Sequence, residues 1–224
     1  MVNFQGNFLF GPYAALYKLE NSFCSELLKR AKKLRTATAN KFLVGIMQDQ
    51  RIYTNDDKQY FISNFQPIFD DYMKRAYAFR GLQHNKEIHT SSFSLISLWV
   101  NFMRETECNP EHVHEGQLSW VIFLKVPDLK EEYKSFQGRG IGPGVLNLLY
   151  GESADWAQHS LKYEPTENHM WIFPAQLRHS VTPFYTKGQR ISVSGNLFFN
   201  EPGKPSIILP EYRLNFEDNF PLKK

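Results

Sequence analysis

From residue 91 onward the chain breaks into short runs rich in Val, Ile, Phe, Ser and Trp, separated by clusters of Gly, Pro and Asn. Runs of this length and punctuation form antiparallel strands whose side chains alternate between two faces. They predict strands over 93–104, 117–126, 145–150, 169–173, 180–185 and 190–200. Segments 130–144 and 152–167 read as longer loops, which in a compact domain often cover a site.

The residues before 91 follow a different period. A helix is predicted to begin near Ser22, a cap-type residue, with Phe23, Leu27, Leu28, Ala31 and Leu34 at three- and four-residue spacing. Lys29, Arg30, Lys32, Lys33 and Arg35 on this segment read as a solvated face, the other reading being contact with an acidic partner. A second helix is predicted over 58–79 from Phe61, Phe65, Ile68, Phe69, Tyr72 and Ala76, with Gly81 as its stop. Helices first and strands after give a mainly β chain with flanking N-terminal helices. A mainly helical support region spans 1–90, a strand-rich core 91–200 and a C-terminal extension 201–224, all in one domain.

A chain of 224 residues buries roughly 70% of its unfolded surface, so neither disulfides nor a structural metal are needed to hold it together. Cys24 and Cys108 form no paired motif, which points to a reducing, cytoplasmic setting. The apolar start lacks the basic residues and cleavage pattern of a secretory signal, and no segment approaches the roughly 20 apolar residues that span a bilayer. A net charge of +3 with interspersed signs is too weak for a protein that coats nucleic acid, leaving nucleic acid only as a substrate.

Of seven histidines, three fall where strands begin or end: His112 and His114 before QLSWVIFLKVP, and His179 within FPAQLRHSV. In an extended chain residues i and i+2 point the same way, so His112 and His114 present both imidazoles to one ion or form a hydrogen-bonded pair without metal. Farther on, Arg190, Ser192, Ser194 and Asn196 alternate with Ile191, Val193 and Gly195, which places four polar side chains on one face. An inward-facing arginine needs a carboxylate or phosphate partner, because an unpaired buried guanidinium is costly. That partner is either a small dicarboxylate ligand or, on a water-facing strand, a nearby Asp or Glu.

In order and spacing, LWVNFMRE, EHVHEGQLSWVIFLKVP, WIFPAQLRHSV and QRISVSGN resemble the core of the 2-oxoglutarate- and Fe(II)-dependent oxygenases. Within that superfamily they are similar to a small branch common in marine bacteria and their phages, with a His-x-His, a later His and an Arg-x-Ser strand. The resemblance covers roughly 93–200, and the N-terminal helical region looks similar as well. It implies a double-stranded β-helix, a cupin-like jelly roll, with Fe(II) in the barrel mouth, 2-oxoglutarate as co-substrate and O2 as oxidant. Carried over, His112 is the proximal iron ligand, His179 the distal one, and Arg190 anchors the distal carboxylate of 2-oxoglutarate. Ser192 stands beside Arg190 as a second contact to that carboxylate. Asn101, facing the same way as Trp99 and Met103, either hydrogen-bonds the co-substrate or is a buried amide closing a turn.

The chain departs from the family pattern where an Asp or Glu ligand is usual, because His114 stands there. A three-histidine site of His112, His114 and His179 is the first reading. Glu115 supplying the carboxylate through a bulge is the second. The third makes His114 the proximal ligand, with Gly116 in the carboxylate position and water filling the gap. The expected activity is hydroxylation of a small-molecule or peptidyl substrate. The alternatives are a three-histidine metal dioxygenase that uses no 2-oxoglutarate and a non-catalytic binding barrel. Ser119 reads as a core or site residue, Asp155 and Trp156 as loop residues near substrate, and His84, His89, His159 and His169 as surface or loop histidines. A C2 homodimer is the default assembly.

Overall fold

The computed structural model describes residues 11–35, 45–79, 93–138 and 140–199. Gly81, His84, His89, Asn200 and the expected extension 201–224 lie outside them. In chain order the elements are β1 (Ala15–Lys18), α1 (Asn21–Ala31), β2 (Gln50–Ile52), α2 (Asn55–Phe79), β3 (Phe93–Arg104), β4 (Asn109–His112) and β5 (Leu118–Lys125). There follow α3 (Lys130–Ser135), β6 (Leu146–Leu149), β7 (Ser160–Tyr163), β8 (His169–Pro174), β9 (Arg178–Val181) and β10 (Gln189–Phe199). The strands form a six-stranded antiparallel sheet in the order β1-β8-β5-β10-β3-β2 and a four-stranded one in the order β4-β9-β6-β7.

Alternation along the long strands sorts their side chains into two cores. On the helix side, Leu98, Val100, Phe102, Trp120, Ile122, Ile191 and Val193 pack against Phe23, Leu27, Phe61, Phe65 and Phe69 of α1 and α2. Trp120 stacks on Phe61 and Phe65 with ring centroids 5.2 and 5.0 Å away. Gly195 is glycine for this reason: a Cβ there would run into the Trp120 ring and lie 2.6 Å from the Ser97 carbonyl oxygen. On the opposite face, Met103, Val121, Phe123, Trp171 and Phe173 meet Leu146, Leu148 and Val181 of the smaller sheet. The two sheets thus close over an interior, as a jelly roll requires.

The expected long strands lie where predicted, β3 residue for residue and β5, β6, β8 and β10 within a residue at each end. The strand expected over 180–185 is corrected to Arg178–Val181, because Pro183 has no N–H to continue a ladder. Two expected loops carry structure: 130–144 contains α3, and 152–167 contains β7, paired with β6. Strands β1 and β2 lie within the mainly helical region, at the two edges of the large sheet. Helix α2 begins three residues before the predicted 58, since Thr54 and Asp57 cap it reciprocally: the Thr54 N–H donates to the Asp57 carboxylate (3.1 Å) and the Asp57 N–H to the Thr54 hydroxyl (3.3 Å). It also runs through Pro67, held by the buried Phe65 and Phe69 on either side.

Candidate functional site

His112 ends β4, directly opposite His179 on β9. The chain then turns back so that the His114 N–H donates to the Ala175 carbonyl at 2.8 Å and the Gln176 side chain donates to the His114 carbonyl at 2.9 Å. These backbone ties bring in the third imidazole. The ring centroids of His112 and His179 are 4.2 Å apart, and each is within 4.9 Å of His114. One nitrogen from each ring lies within 4.8 Å of the others, and the His114 and His179 Nε2 atoms are 3.2 Å apart. His112 Nδ1 is 2.7 Å from the Pro110 carbonyl and His179 Nδ1 is 2.9 Å from that of Leu177. Both carbonyls are acceptors, so both Nδ1 atoms carry protons and both Nε2 lone pairs face inward.

The trio is built to stay neutral. Burial pushes His114 down to about 3, helped by the neighbouring His179 and His112, and pushes His179 down to about 4, helped by His112. Burial lowers His112 as well. Trp99 meets the edge of His114 and Phe173 that of His179, giving the cluster an aromatic wall. At the rim Arg178 pairs with Glu111 at 2.9 Å and ties β9 to β4.

From this cluster a polar row runs along the inner face of the large sheet. Strand register sets Asn196 opposite Ser97, Ser194 opposite Trp99, Ser192 opposite Asn101 and Arg190 opposite Met103. Ser119 donates to the Asn196 carbonyl oxygen and the Asn196 amide donates to Ser97, so that end of the row is closed on itself. Asn101 is buried and accepts from the Gln50 side chain at 2.8 Å. Gln50 is a member of the row that sequence reading missed, on a strand too short to show alternation.

At the far end Arg190 is 3% exposed. Its Nη1 donates to the Gly144 carbonyl at 3.0 Å, its Nη2 lies 2.7 Å from the Met103 sulfur, and its Nε has no partner. No carboxylate among the described residues pairs with it. Burial lowers the guanidinium to about 10, with Tyr133 the nearby titratable group. The reading of a water-facing strand with an Asp or Glu partner is therefore set aside. The buried Trp171 N–H, on the same interior side, also has no partner.

Residues 97–196 match the sequence family described as "Putative 2OG-Fe(II) oxygenase". Over its barrel core the chain matches the 2OG-Fe(II) oxygenase superfamily. No curated protein matches the chain by sequence. Among solved structures, the chain superimposes on the non-heme alpha ketoglutarate dependent epimerase SnoN from nogalamycin biosynthesis with a TM-score of 0.54 and 14% identity, covering 93% of this chain and 92% of that one. A prolyl hydroxylase from Trichoplax adhaerens, in complex with a hypoxia inducible factor peptide, gives 0.52 and 13%, covering 83% and 82%. HygX from Streptomyces hygroscopicus, with nickel and 2-oxoglutarate bound, gives 0.50 and 8%, covering 82% of each chain. These likenesses share one fold, the double-stranded β-helix of the 2OG oxygenases.

The donor chemistry of the oxygenase fits the groups its family uses. Three imidazoles whose ring nitrogens converge within 4.8 Å suit a divalent first-row metal. The unpartnered Arg190 Nε, in a buried fork with no counter-ion among the described residues, suits a carboxylate. Glu115 is exposed and lies outside the group of three, and Gly116, at φ +97°, brings no ligand atom. Of the remaining loop residues, Trp156 is fully exposed and His169 is bonded to the Tyr163 hydroxyl at 2.6 Å.

Proposed function

We propose that this oxygenase hydroxylates an unactivated C–H bond of a small-molecule or peptidyl substrate, with His112, His114 and His179 as its iron ligands. Bound iron, together with 2-oxoglutarate and O2, supplies the oxidising power. Two-electron oxidation of the substrate is coupled to decarboxylation of 2-oxoglutarate to succinate. The chain's own residues bind, orient and shield. The three imidazoles hold the metal on one side, with Nδ1 protons of His112 and His179 fixed on backbone carbonyls so that their rings cannot turn away. Arg190 pairs with the distal carboxylate of 2-oxoglutarate, Ser192 donates to the same group, and Asn101, fixed by Gln50, supports the chain of the co-substrate.

The spacing suits that assignment. Arg190 lies four residues from Ser194 on β10, about 13 Å of strand, and Ser194 stands opposite the Trp99 that touches His114. Phe173 and Trp99 line the metal side and limit water there. The single observation that carries the reading is the fully buried Arg190, with no carboxylate partner among the described residues, on the large sheet that faces the smaller one from which His112 and His179 project. We infer further that the chain is of the His-x-His branch that its sequence pattern resembles, and that 1–224 act as one domain in a reducing cytoplasm.

A second reading, a three-histidine dioxygenase that uses no 2-oxoglutarate, is favoured by the lack of a carboxylate in the trio. Anaerobic Fe(II) titration with and without 2-oxoglutarate separates the two. A visible charge-transfer band that needs both Fe(II) and 2-oxoglutarate, and that disappears in His179→Ala, is the expected result. Metal binding without the band would transfer belief to the second reading, and no metal binding at all would leave a non-catalytic barrel.

A further inference from the structure

Arg190 is held by a strap that lies outside the polar row. Its one hydrogen bond to oxygen goes to the carbonyl of Gly144, and residues 142–145 form a short loop entering β6. That loop is fastened at every residue. The Tyr133 hydroxyl donates to the Pro143 carbonyl at 2.7 Å, and the Thr182 hydroxyl donates to the Gly142 carbonyl at 2.7 Å. The Val145 N–H donates back to the Thr182 hydroxyl at 2.8 Å, and the Gly144 N–H donates to the Pro183 carbonyl at 3.0 Å. The Tyr133 ring also covers Gly142, where an added Cβ would lie 2.8 Å from its Cε1. Gly144 sits at φ +65° with Leu129 against it, so the conformation that turns its carbonyl toward Arg190 is open to glycine and strained for other residues.

Tyr133 itself is placed by α3. That helix is clasped to the β9–β10 connection by Glu132, whose carboxylate accepts from the Tyr185 and Thr186 backbone N–H groups at 2.9 and 2.8 Å and from the Thr186 hydroxyl at 2.6 Å. A surface helix thereby fixes a hydroxyl, the hydroxyl fixes a strap, and the strap fixes one arm of the buried guanidinium.

We propose that Tyr133 is a positioning residue for the distal carboxylate of 2-oxoglutarate, acting through the Pro143–Gly144 strap to set the orientation of Arg190. The proposal rests on the reading of Arg190 as the co-substrate anchor. Tyr133 does not touch the ligand. Its effect is confined to the end of the co-substrate that Arg190 holds, which distinguishes positioning from general support of the fold.

The test compares two acids on the anaerobic, Fe(II)-loaded full-length protein by calorimetry: 2-oxoglutarate, and 2-oxobutyrate, which has the same 2-oxo acid head but no distal carboxylate. Tyr133→Phe removes one half-buried hydrogen bond and keeps the ring. It is expected to weaken 2-oxoglutarate binding by about five- to tenfold, leaving 2-oxobutyrate and Fe(II) affinities within about twofold of the parent, a margin smaller than the loss of one net hydrogen bond. Unchanged affinity for 2-oxoglutarate overturns the proposal, and so does equal weakening of both acids or of the metal, which would mark a structural role only. Arg190→Gln, run in parallel, separates the levels. If it loses 2-oxoglutarate while Tyr133→Phe does not, only the strap inference falls. If it retains 2-oxoglutarate, the anchor reading falls and the inference with it. Should Tyr133→Phe fail to fold, Thr182→Val breaks the strap from its other side and must show the same selectivity.

Discussion

Replacing Arg190 by methionine is expected to leave the ligand-free protein as stable as the parent or more so, while abolishing its response to 2-oxoglutarate. The guanidinium is fully buried, and burial takes it well below its ordinary value, to about 10. A fall of this size corresponds to roughly 3 kcal/mol by which the folded state disfavours the charged form. The sign follows from the direction. A base whose folded value is depressed costs stability at every pH below that value, so the whole penalty is felt at neutral pH and fades only as the pH rises from about 10 towards the ordinary guanidinium value. Methionine removes this cost but leaves the Gly144 carbonyl without its donor, which takes back about 1–3 kcal/mol. The net change in the absence of ligand is then about 0 to +2 kcal/mol, a rise in Tm of about 0–8 °C for a domain of this size. For the parent, 2-oxoglutarate at a hundred times its Kd adds about 2.7 kcal/mol, or about 5–11 °C. The assay is a thermal melt of Fe(II)-loaded protein under anaerobic conditions, parent and variant, with and without 2-oxoglutarate. A variant that melts about 10 °C below the parent without ligand would mean that the charge is compensated in the fold, as a broken buried ion pair would be. A variant that still shifts with 2-oxoglutarate would refute the anchor.

Gly195→Ala, which drives a methyl into the Trp120 ring and the Ser97 carbonyl, should lower stability by about 1–3 kcal/mol in chemical denaturation, and an unchanged midpoint would refute the packing argument. Burial alone would raise the Glu132 carboxyl, but hydrogen bonds from the Thr186 hydroxyl and the Thr186 and Tyr185 N–H groups outweigh it and hold the group below the usual carboxylate range. The stability this confers is present above about 4.5 and is lost as the pH falls through the depressed folded value, so the Tm deficit of Glu132→Gln should be seen at pH 7 and close in acid. A deficit independent of pH would show that the carboxylate's charge plays no part in the clasp.

Alternation was legible along β10, which is long enough to show a period of two, and it assigned Arg190, Ser192, Ser194 and Asn196 to one face correctly, while β3 and β5 were legible as apolar runs rich in Val, Ile, Phe and Trp. It failed for β1, β2, β4 and β7, which have three or four residues: β1 and β2 are strands because the longer β8 and β3 offer them an edge, and β4 and β7 because they pair with the equally short β9 and β6. Helix α2 shows the converse. Pro67 argues locally for a break, yet Phe61, Phe65 and Phe69 bury one continuous stripe against the sheet, and that tertiary gain outweighs one lost hydrogen bond.

The His-x-His pair, the later histidine and the Arg-x-Ser strand were each visible in the sequence, and their order sufficed to suggest a jelly-roll oxygenase. Their convergence was not visible. His114 and His179 stand 65 residues apart, and their 3.2 Å approach depends on the register of β4 on β9 and on the tie between His114 and Ala175. Register between distant strands is settled by which faces bury together, a property of the closed barrel that no single segment encodes. The same holds for Arg190, whose type and face the sequence determined, while its burial without a counter-ion and its grip on Gly144 arose only when β10, α3 and the strap before β6 closed around it.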